Sequence, residues 1–442
     1  MKISSAFFGL AIADQEFLNA KDSVRSVGWK FLFGNAKSAK ENTVVSPLSI
    51  VSALYMLASG SAGNAKSEIE AALNVTGNEN YIEDYSYLLT ALRNNPNSDF
   101  EEENAQYTLE ICNGAFYQTK FQDGDVAVFA EGLHSNFIDN VGDIRGLDFS
   151  SPVSATDEIN SWVAEKTHGK ISSIFDEPLD SSTLLVLANS LFYKAEWKSA
   201  FEKEKSEQIW LGEDGISNDV DFVYQTARFN HAKNICINNP CDARNDLRLN
   251  VAEIPMVGKQ KNGKDTNHFT MNIWYIAPKQ GPKMRKQKRI SKANDDLVRE
   301  IIHARSADYR QKIPDKEYLR LMIPKFSVST SLDMKSQLMK IGIKQVFEGG
   351  ADFSPIFGKM ENLDVVVKSV NHKVQFDVDE NGIEGSAATA MALAFRSGIP
   401  AKRLDINSPF YFSVTNREYE IGLDDDRKSG NVPIFVGKIS SF

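Results

Sequence analysis

Cysteine, histidine and long apolar runs are all scarce in this chain of 442 residues. Three cysteines are too few for a disulfide-dense scaffold. No segment approaches the roughly 18 consecutive apolar residues that a membrane-spanning helix requires, so we expect no membrane span. Positively charged residues are also outnumbered, since 50 Lys and Arg compare with 59 Asp and Glu, which gives a net charge of −9. Because phosphate binding needs a basic surface, this acidity argues against nucleic acid as the main partner.

The common enzyme signatures are missing as well. The chain has no Gly-rich phosphate loop ending in Gly-Lys-Ser/Thr, no Gly-x-Ser-x-Gly elbow, and no His-Glu-x-x-His among its six histidines. A Ser-His-Asp triad can be assembled from distant positions, but nothing in the chain nominates one. Cysteine and histidine ligands at zinc-binding spacing are also missing. We therefore expect a protein that is not an enzyme and holds no metal or other cofactor.

The composition that remains, 42% hydrophobic and 25% charged residues, is that of a folded globular protein. Ser46 and Pro47 have the residue types of an N-cap and a first helical position, and predict a helix that ends near Gly60. The apolar run 183–193 predicts a central strand covered on both faces, and the alternating pattern over 318–330 predicts another. Helices dominate the first half and strands the last third, which indicates an α+β fold.

The N-terminal segment, one sequon and the cysteines bear on the cellular compartment. Residues 1–21 are either a leader with a signal peptide, whose cleavage pattern is the Ala-Ile-Ala at 11–13, or an apolar helix that packs on the body. Asn74 begins the tripeptide Asn-Val-Thr, which makes it a glycosylation candidate. Cys236 and Cys241 lie in a polar, turn-rich segment and form either a small disulfide loop or two thiols. Cys112, in an apolar stretch, is expected to be a buried core thiol.

One segment is compositionally unusual. Residues 279–292 carry seven positive charges in fourteen positions and no acid. Such a segment is a solvated inserted loop, a nuclear import signal or a site for a polyanion such as a heparin-like glycosaminoglycan, and we favour the solvated loop. The candidate polyanion-binding residues are Lys283, Arg285, Lys286, Lys288, Arg289 and Lys292.

Several blocks in fixed order make a more specific pattern. They are NTVVSPLSI (42–50), INSWVAEKTHGKI (159–171), LANSLFYKAEW (187–197), IPKF (323–326), SPFYF (408–412) and IFVGK (434–438). Together they resemble the serpins, the serine protease inhibitor superfamily, over about residues 22–440. The resemblance implies a monomer with a metastable fold of three β-sheets, about eight or nine helices and an exposed reactive loop. It also implies a single domain over 22–442, with inserted loops near 234–245 and 259–292.

Residues 379–390 (DENGIEGSAATA) are similar to the serpin hinge, the segment that carries the reactive loop into the main sheet after cleavage. In an inserted strand, alternate side chains enter the core. The odd-numbered hinge positions from Ile383 onward hold only uncharged residues. The charged residue Glu384 lies on the even-numbered set, which would face the opposite side. The hinge residues implied by the resemblance are Glu380, Gly382, Ile383, Glu384, Gly385, Ser386, Ala387, Ala388, Thr389 and Ala390. Ile383 and Gly385 depart from the family's Thr or Ser and Ala, which leaves open a non-inhibitory serpin that acts as a carrier or chaperone.

Family spacing from the hinge Glu380 places the reactive bond after Arg396, followed by Ser397 and preceded by Phe395. A guanidinium before the scissile bond suits trypsin-like serine proteases, whose primary pocket ends in a carboxylate. Phe-Arg also suits papain-like cysteine proteases, and cleavage after Phe395 would suit chymotrypsin-like ones. Counting back from the C-terminal side gives Gly398, and residues 402–403 (Lys-Arg) are a second basic candidate.

The resemblance also assigns residues that control opening of the main sheet. Ser46, Ser49, Asn189 and His372 would form a hydrogen-bonded shutter beneath it. Trp197 would lie at the breach, where the loop first enters. These features predict an irreversible inhibitor of trypsin-like proteases, secreted to the extracellular space, with a cytoplasmic location as the alternative.

Overall fold

The computed structural model describes residues 20–28, 30–31, 41–94, 107–119, 143–205, 208–212, 217–236, 247–256, 258–259, 265–266, 269–276, 298, 302, 316–357, 365–383, 400–416 and 432–442. Within these ranges lie seven α-helices: α1 (20–28), α2 (Pro47–Ser59), α3 (Gly63–Leu73), α4 (Tyr81–Asn94), α5 (Pro152–Lys166), α6 (Lys335–Lys340) and α7 (Ser354–Phe357). The α+β prediction is confirmed, because helices and extensive sheets both occur and do not alternate regularly along the described chain.

The strands, in chain order, are β1 (Thr43–Val45), β2 (Tyr107–Gln118), β3 (Asp143–Leu147), β4 (Leu185–Glu196), β5 (Glu202–Lys203), β6 (Ile209–Leu211), β7 (Ser217–Asp219), β8 (Phe222–Ile235), β9 (Leu249–Pro255), β10 (Gly258–Lys259), β11 (Asp265–Thr266), β12 (Phe269–Ile276), β13 (Glu317–Pro324), β14 (Phe326–Asp333), β15 (Val367–Val378), β16 (Gly382–Ile383), β17 (Lys402–Asp405), β18 (Phe410–Asn416) and β19 (Pro433–Ile439). They form two large sheets and two short hairpins, β6–β7 and β10–β11.

The main sheet has six strands in the order β14-β15-β16-β4-β2-β3. Its centre is β4, whose first nine residues are all buried. That burial agrees with the unbroken apolar run that predicted a central strand here, because a strand covered on both faces has no solvated side. Helix α5 packs against β2 and β4.

The second large sheet has the order β1-β19-β18-β12-β9-β8-β13-β17, with β5 paired to β8. Strand β8 is long enough to belong to two parts of it, since residues 222–229 pair with β13 and residues 230–235 run along β9. With the main sheet, the two parts correspond to the three β-sheets that the resemblance implies.

The single strand predicted over 318–330 is wrong. It is two strands in different sheets, β13 paired with β8 and β14 paired with β15. The apolar positions are odd-numbered as far as Ile323 and even-numbered from Phe326, so the alternation shifts phase between the two strands. The break comes at Pro324 and Lys325, where proline interrupts the ladder.

Helix α2 lies against β2, β4 and β19, under the main sheet. Pro47 occupies the first helical turn, and the Ser46 side chain caps the helix by accepting from the Ser49 backbone N–H at 3.2 Å. Every residue from Pro47 to Ala58 is buried. Such a helix is stabilised by packing on all sides, and here it fixes two serines beneath the sheet.

The cysteines differ in state. Cys236 is disulfide-bonded and buried. Cys112 is a buried thiol whose Sγ lies 3.4 Å from the Lys166 carbonyl oxygen, as the apolar stretch predicts. Cys241 lies outside the described residues. None of the helices in the described part of the chain is long and apolar enough to cross a membrane.

Candidate functional site

The predicted site residues divide into two groups. The structure describes Ser46, Ser49, Asn74, Asn189, Trp197, His372, Glu380, Gly382 and Ile383. Outside the described residues lie the hinge from Glu384 to Ala390, the predicted reactive bond with Phe395, Arg396 and Ser397, and the basic residues Lys283, Arg285, Lys286, Lys288, Arg289 and Lys292. The site therefore consists of the main sheet and the start of the hinge.

Strands β15 and β4 pair with each other over the first part of their length, which we call the bottom of the sheet, and are separated toward their ends, which we call the top. They run parallel from Val367 opposite Leu185 to Lys373 opposite Ser190. Higher up, the short strand β16 lies between them and pairs with both. The segments 374–377 and 191–194 flank the space between these two zones. The sheet thus has a wedge-shaped opening at its centre, wide enough at the top to hold a further strand.

Strand β16 closes the top of this opening with two hinge residues. Ile383 lies opposite Val378 on one side and Ala195 on the other, and its side chain is 1% exposed. Gly382 is required by close approach, because a Cβ there would lie 2.1 Å from the Ala195 carbonyl oxygen. The first two described residues of β16, which belong to the predicted hinge, therefore fill the top of the opening, with Ile383 facing the core.

Trp197 joins the hinge to the second sheet. Its indole Nε1 donates to the Asp379 carbonyl oxygen at 2.9 Å, and its backbone N–H donates to the Asn381 carbonyl oxygen at 2.9 Å. Trp197 also forms a bridge with Met256, in the segment after β9. These contacts hold the turn between β15 and β16 at the place where a further strand would enter.

Glu380 is fixed by two lysines. Its carboxylate lies 2.8 Å from Lys325 Nζ and 3.1 Å from Lys203 Nζ. Burial alone raises the pKa of Glu380, but hydrogen bonds from Lys325 and Lys203 outweigh it and lower the pKa to about 2. The hinge therefore starts from a carboxylate that stays ionised and anchored.

The four predicted shutter residues meet in one buried network below the opening. Ser49 Oγ donates to Asn189 Oδ1 at 2.7 Å, and Asn189 Nδ2 donates to the Ser49 carbonyl oxygen at 2.6 Å. His372 Nε2 accepts from the Ser46 backbone N–H at 3.1 Å. The network ties helix α2 to both β4 and β15.

The tautomer of His372 follows from these partners. A backbone N–H can only donate, so Nε2 must be the acceptor and Nδ1 must carry the hydrogen. Nδ1 then donates to Asn189 Oδ1 at 2.6 Å. Burial lowers the pKa of His372 to about 3, which keeps the ring neutral. Since His372 lies opposite Asn189 in the pairing of β15 with β4, this hydrogen bond closes the lower part of the sheet.

A pH dependence of stability follows from His372. An unfolded histidine has a pKa near 6.5, so between about pH 6.5 and about pH 3 the unfolded chain binds a proton that the folded chain does not. We expect this group to leave stability unchanged above pH 6.5 and to remove about 1.4 kcal/mol per pH unit below it. Urea unfolding at pH 7.5, 6.5 and 5.5 should show a smaller loss in His372→Asn. Equal slopes would contradict the assignment.

Sequence reasoning missed several partners of these residues. Asn113 accepts a short hydrogen bond from Asn189 Nδ2, and Thr330 Oγ1 accepts from the Val44 backbone N–H at 3.0 Å. An asparagine within the apolar strand β2 was the available signal for Asn113. Lys325 lies in the IPKF block, but no local pattern connects it, or Lys203, to Glu380.

Comparisons with known proteins agree with this geometry. The family model described as "Serpin (serine protease inhibitor)" matches residues 24–440. Iripin-2 from Ixodes ricinus is 28% identical over 426 residues, covering 94% of this chain and 95% of that protein. The leukocyte elastase inhibitor of Bos taurus is 27% identical and covers 90% and 93%. Human thyroxine-binding globulin, at 20% identity, has the same fold with a TM-score of 0.71, covering 97% and 99%.

Proposed function

Because the chain belongs to the serpin family, we propose that it inhibits a trypsin-like serine protease irreversibly, as a suicide substrate cleaved after Arg396. The protease serine oxygen attacks the Arg396 carbonyl carbon, an ester forms, and the Arg396–Ser397 bond breaks. The proton of the serine hydroxyl passes to the new amine of Ser397. The freed loop then inserts between β15 and β4, carrying the acylated protease with it.

The two-residue strand β16 is the observation that carries this proposal. It fills the top of the opening between β15 and β4, so the next hinge residues would continue an existing strand. The uncharged parity that begins at Ile383 would then face the core, because Ile383 itself is buried. Continued insertion must break the His372–Asn189 hydrogen bond, which would be the control point for opening.

Incubation with bovine trypsin tests the function. We expect a complex with trypsin that survives boiling in SDS and a parallel loss of trypsin activity. Clean cleavage with full recovery of activity would instead indicate a non-inhibitory carrier or chaperone. Inhibition of papain or chymotrypsin but not trypsin would place the reactive bond or the protease class elsewhere.

We also propose that the protein is exported. The disulfide-bonded Cys236 supports this, because such bonds persist in oxidising compartments. Asn74 is exposed and ends helix α3 in a left-handed conformation, at φ 59°, where it is accessible to glycosylation. Expression in insect cells with the native N-terminus should yield protein in the medium.

A heparin-like polyanion is the second partner that we propose to test, at the basic segment 279–292, against the alternative of a solvated loop. The seven positive charges of this segment contrast with a chain whose net charge is −9. We expect the protein to bind a heparin column and to elute at lower salt when Lys286, Lys288 and Arg289 are replaced by glutamine. Elution at unchanged salt would show that this segment is not the polyanion-binding site.

A further inference from the structure

A groove beside the hinge combines three features that mark a contact surface. It is about 890 Å³ in volume and is walled by the top of β15, the start of β14 and the segments around β5 and β7. The lining residues that the structure describes include five carboxylates and two lysines, a net charge of −3. The acidic residues are Glu204, Asp219, Asp221, Asp377 and Asp379.

Two of these carboxylates are available for a partner. Within the described part of the chain, the side chains of Asp219 and Asp221 make no hydrogen bond or ion pair, and both residues are exposed. Glu204, by contrast, is paired with Arg320 at 2.5 Å, and Asp377 with Lys170 at 3.6 Å. Asp379 accepts hydrogen bonds from the backbone N–H groups of Asn381 and Gly382. Among the described lining residues, the two carboxylates with neither a hydrogen bond nor an ion pair are therefore both at the β7 side.

Exposed apolar side chains border the same side. Among the large hydrophobic residues of the described chain, five are exposed, and three of them belong here: Ile209 at 52%, Leu211 at 39% and Phe442 at 38%. Ile209 lies directly opposite Asp219 in the β6–β7 hairpin, so the two side chains share one face. Phe442 lines the groove itself. Apolar groups next to unpaired charges are typical of protein interfaces.

The position of the groove identifies the partner. In its wall, Asp377 lies just before the predicted hinge and Asp379 at its start. Leu211 N donates to the Asn407 carbonyl oxygen at 2.9 Å, just after β17. The last described residues before the stretch 384–399 therefore lie next to the groove, because the Asp379 N–H donates to the Gly382 carbonyl oxygen at 3.0 Å. A protease engaged on that stretch would be brought against it.

We propose that this groove, with Ile209 and Leu211, is an exosite for the target protease, and that it contacts a basic loop on the protease surface. This proposal rests on the proposed function. Opposite charges across the contact would speed the encounter and would act in addition to recognition of Arg396. The target is thereby narrowed to a trypsin-like protease with a cationic surface near its active site.

The test compares cationic and anionic trypsin, which share a primary pocket and differ in surface charge. We expect D219K/D221K to slow association with cationic trypsin about tenfold in 50 mM NaCl, with the effect lost in 0.5 M NaCl. Association with anionic trypsin should not be slowed. D219N/D221N should lie between, and D157K/E158K, on exposed positions of α5, should match the wild type. Equal rates for D219K/D221K and the wild type would overturn the proposal.

A second arm separates the exosite from inhibition. Cationic trypsin whose active-site serine is replaced by alanine can bind but cannot acylate, so its affinity reports contacts alone. Weaker binding of this enzyme to D219K/D221K than to the wild type supports the exosite, whether or not active trypsin gives a stable complex. Failure of active trypsin to give a stable complex would contradict only the inhibitory function. The same affinity for both proteins, or no binding to either, would reject the exosite.

Discussion

Replacing Arg396 by alanine is expected to lower the rate of trypsin inhibition by at least about a hundredfold. The guanidinium would otherwise be buried against the carboxylate at the base of the protease pocket, and removal of one partner of such a pair costs about 3–5 kcal/mol. The measurement is the second-order rate of trypsin inactivation, followed with a chromogenic substrate. The fold should be unaffected, and the melting temperature of the intact protein serves as the check.

Lys402→Ala is the matched control for this experiment. Lys402 and Arg403 lie in β17, paired in parallel with Leu319 and Arg320 of β13. A protease would have to pull this strand out of its sheet to cut there, so the structure disfavours the second basic candidate. We expect Lys402→Ala to inhibit trypsin at the wild-type rate. Full inhibition by Arg396→Ala would show that the reactive bond is assigned wrongly.

Replacing Ile383 by glutamate is expected to convert the protein from an inhibitor into a substrate. Ile383 is 1% exposed between β15 and β4, and an unpaired carboxylate in that position costs several kcal/mol. Loop insertion would then be slower than hydrolysis of the acyl-enzyme. The number of inhibitor molecules consumed per protease molecule inhibited should rise at least about tenfold.

Ser386→Glu provides a control of equal charge on the opposite parity of the hinge. Because alternate residues of a strand face opposite sides, its carboxylate would stay in solvent and inhibition should persist. Ile383→Val should also inhibit normally, since it preserves an apolar β-branched side chain. Equal behaviour of Ile383→Glu and Ser386→Glu would show that alternation does not govern insertion.

Local patterns predicted the elements whose causes are local. The cap at Ser46, the proline at 47 and the stop at Gly60 correspond to helix α2, which spans Pro47–Ser59. The apolar run 183–193 corresponds to the buried centre of β4. The phase shift at residues 324–325 marks a break within 318–330, but the assignment of the two parts to different sheets depends on partners more than 40 residues away in sequence.

The site was predictable only where a family pattern supplied distant partners. Ser49, Asn189 and His372 are 140 and 183 residues apart in sequence, and nothing in their neighbours indicates that they meet. The anchoring of Glu380 by Lys203 and Lys325 depends on tertiary structure in the same way. Neither the place of β16 between β15 and β4 nor the groove beside β7 has a sequence signal, since both arise from how the sheets are placed.

Hydrogen exchange on the trypsin-reacted protein, read by mass spectrometry, tests loop insertion most directly. The account predicts a covalent species containing trypsin and the chain as far as Arg396. In that species, exchange should slow in residues 191–194 and 374–377, because an inserted strand would pair with the backbone groups that face the opening. A chain cleaved after Arg396 with no protease attached, and with unchanged exchange in both segments, would contradict it.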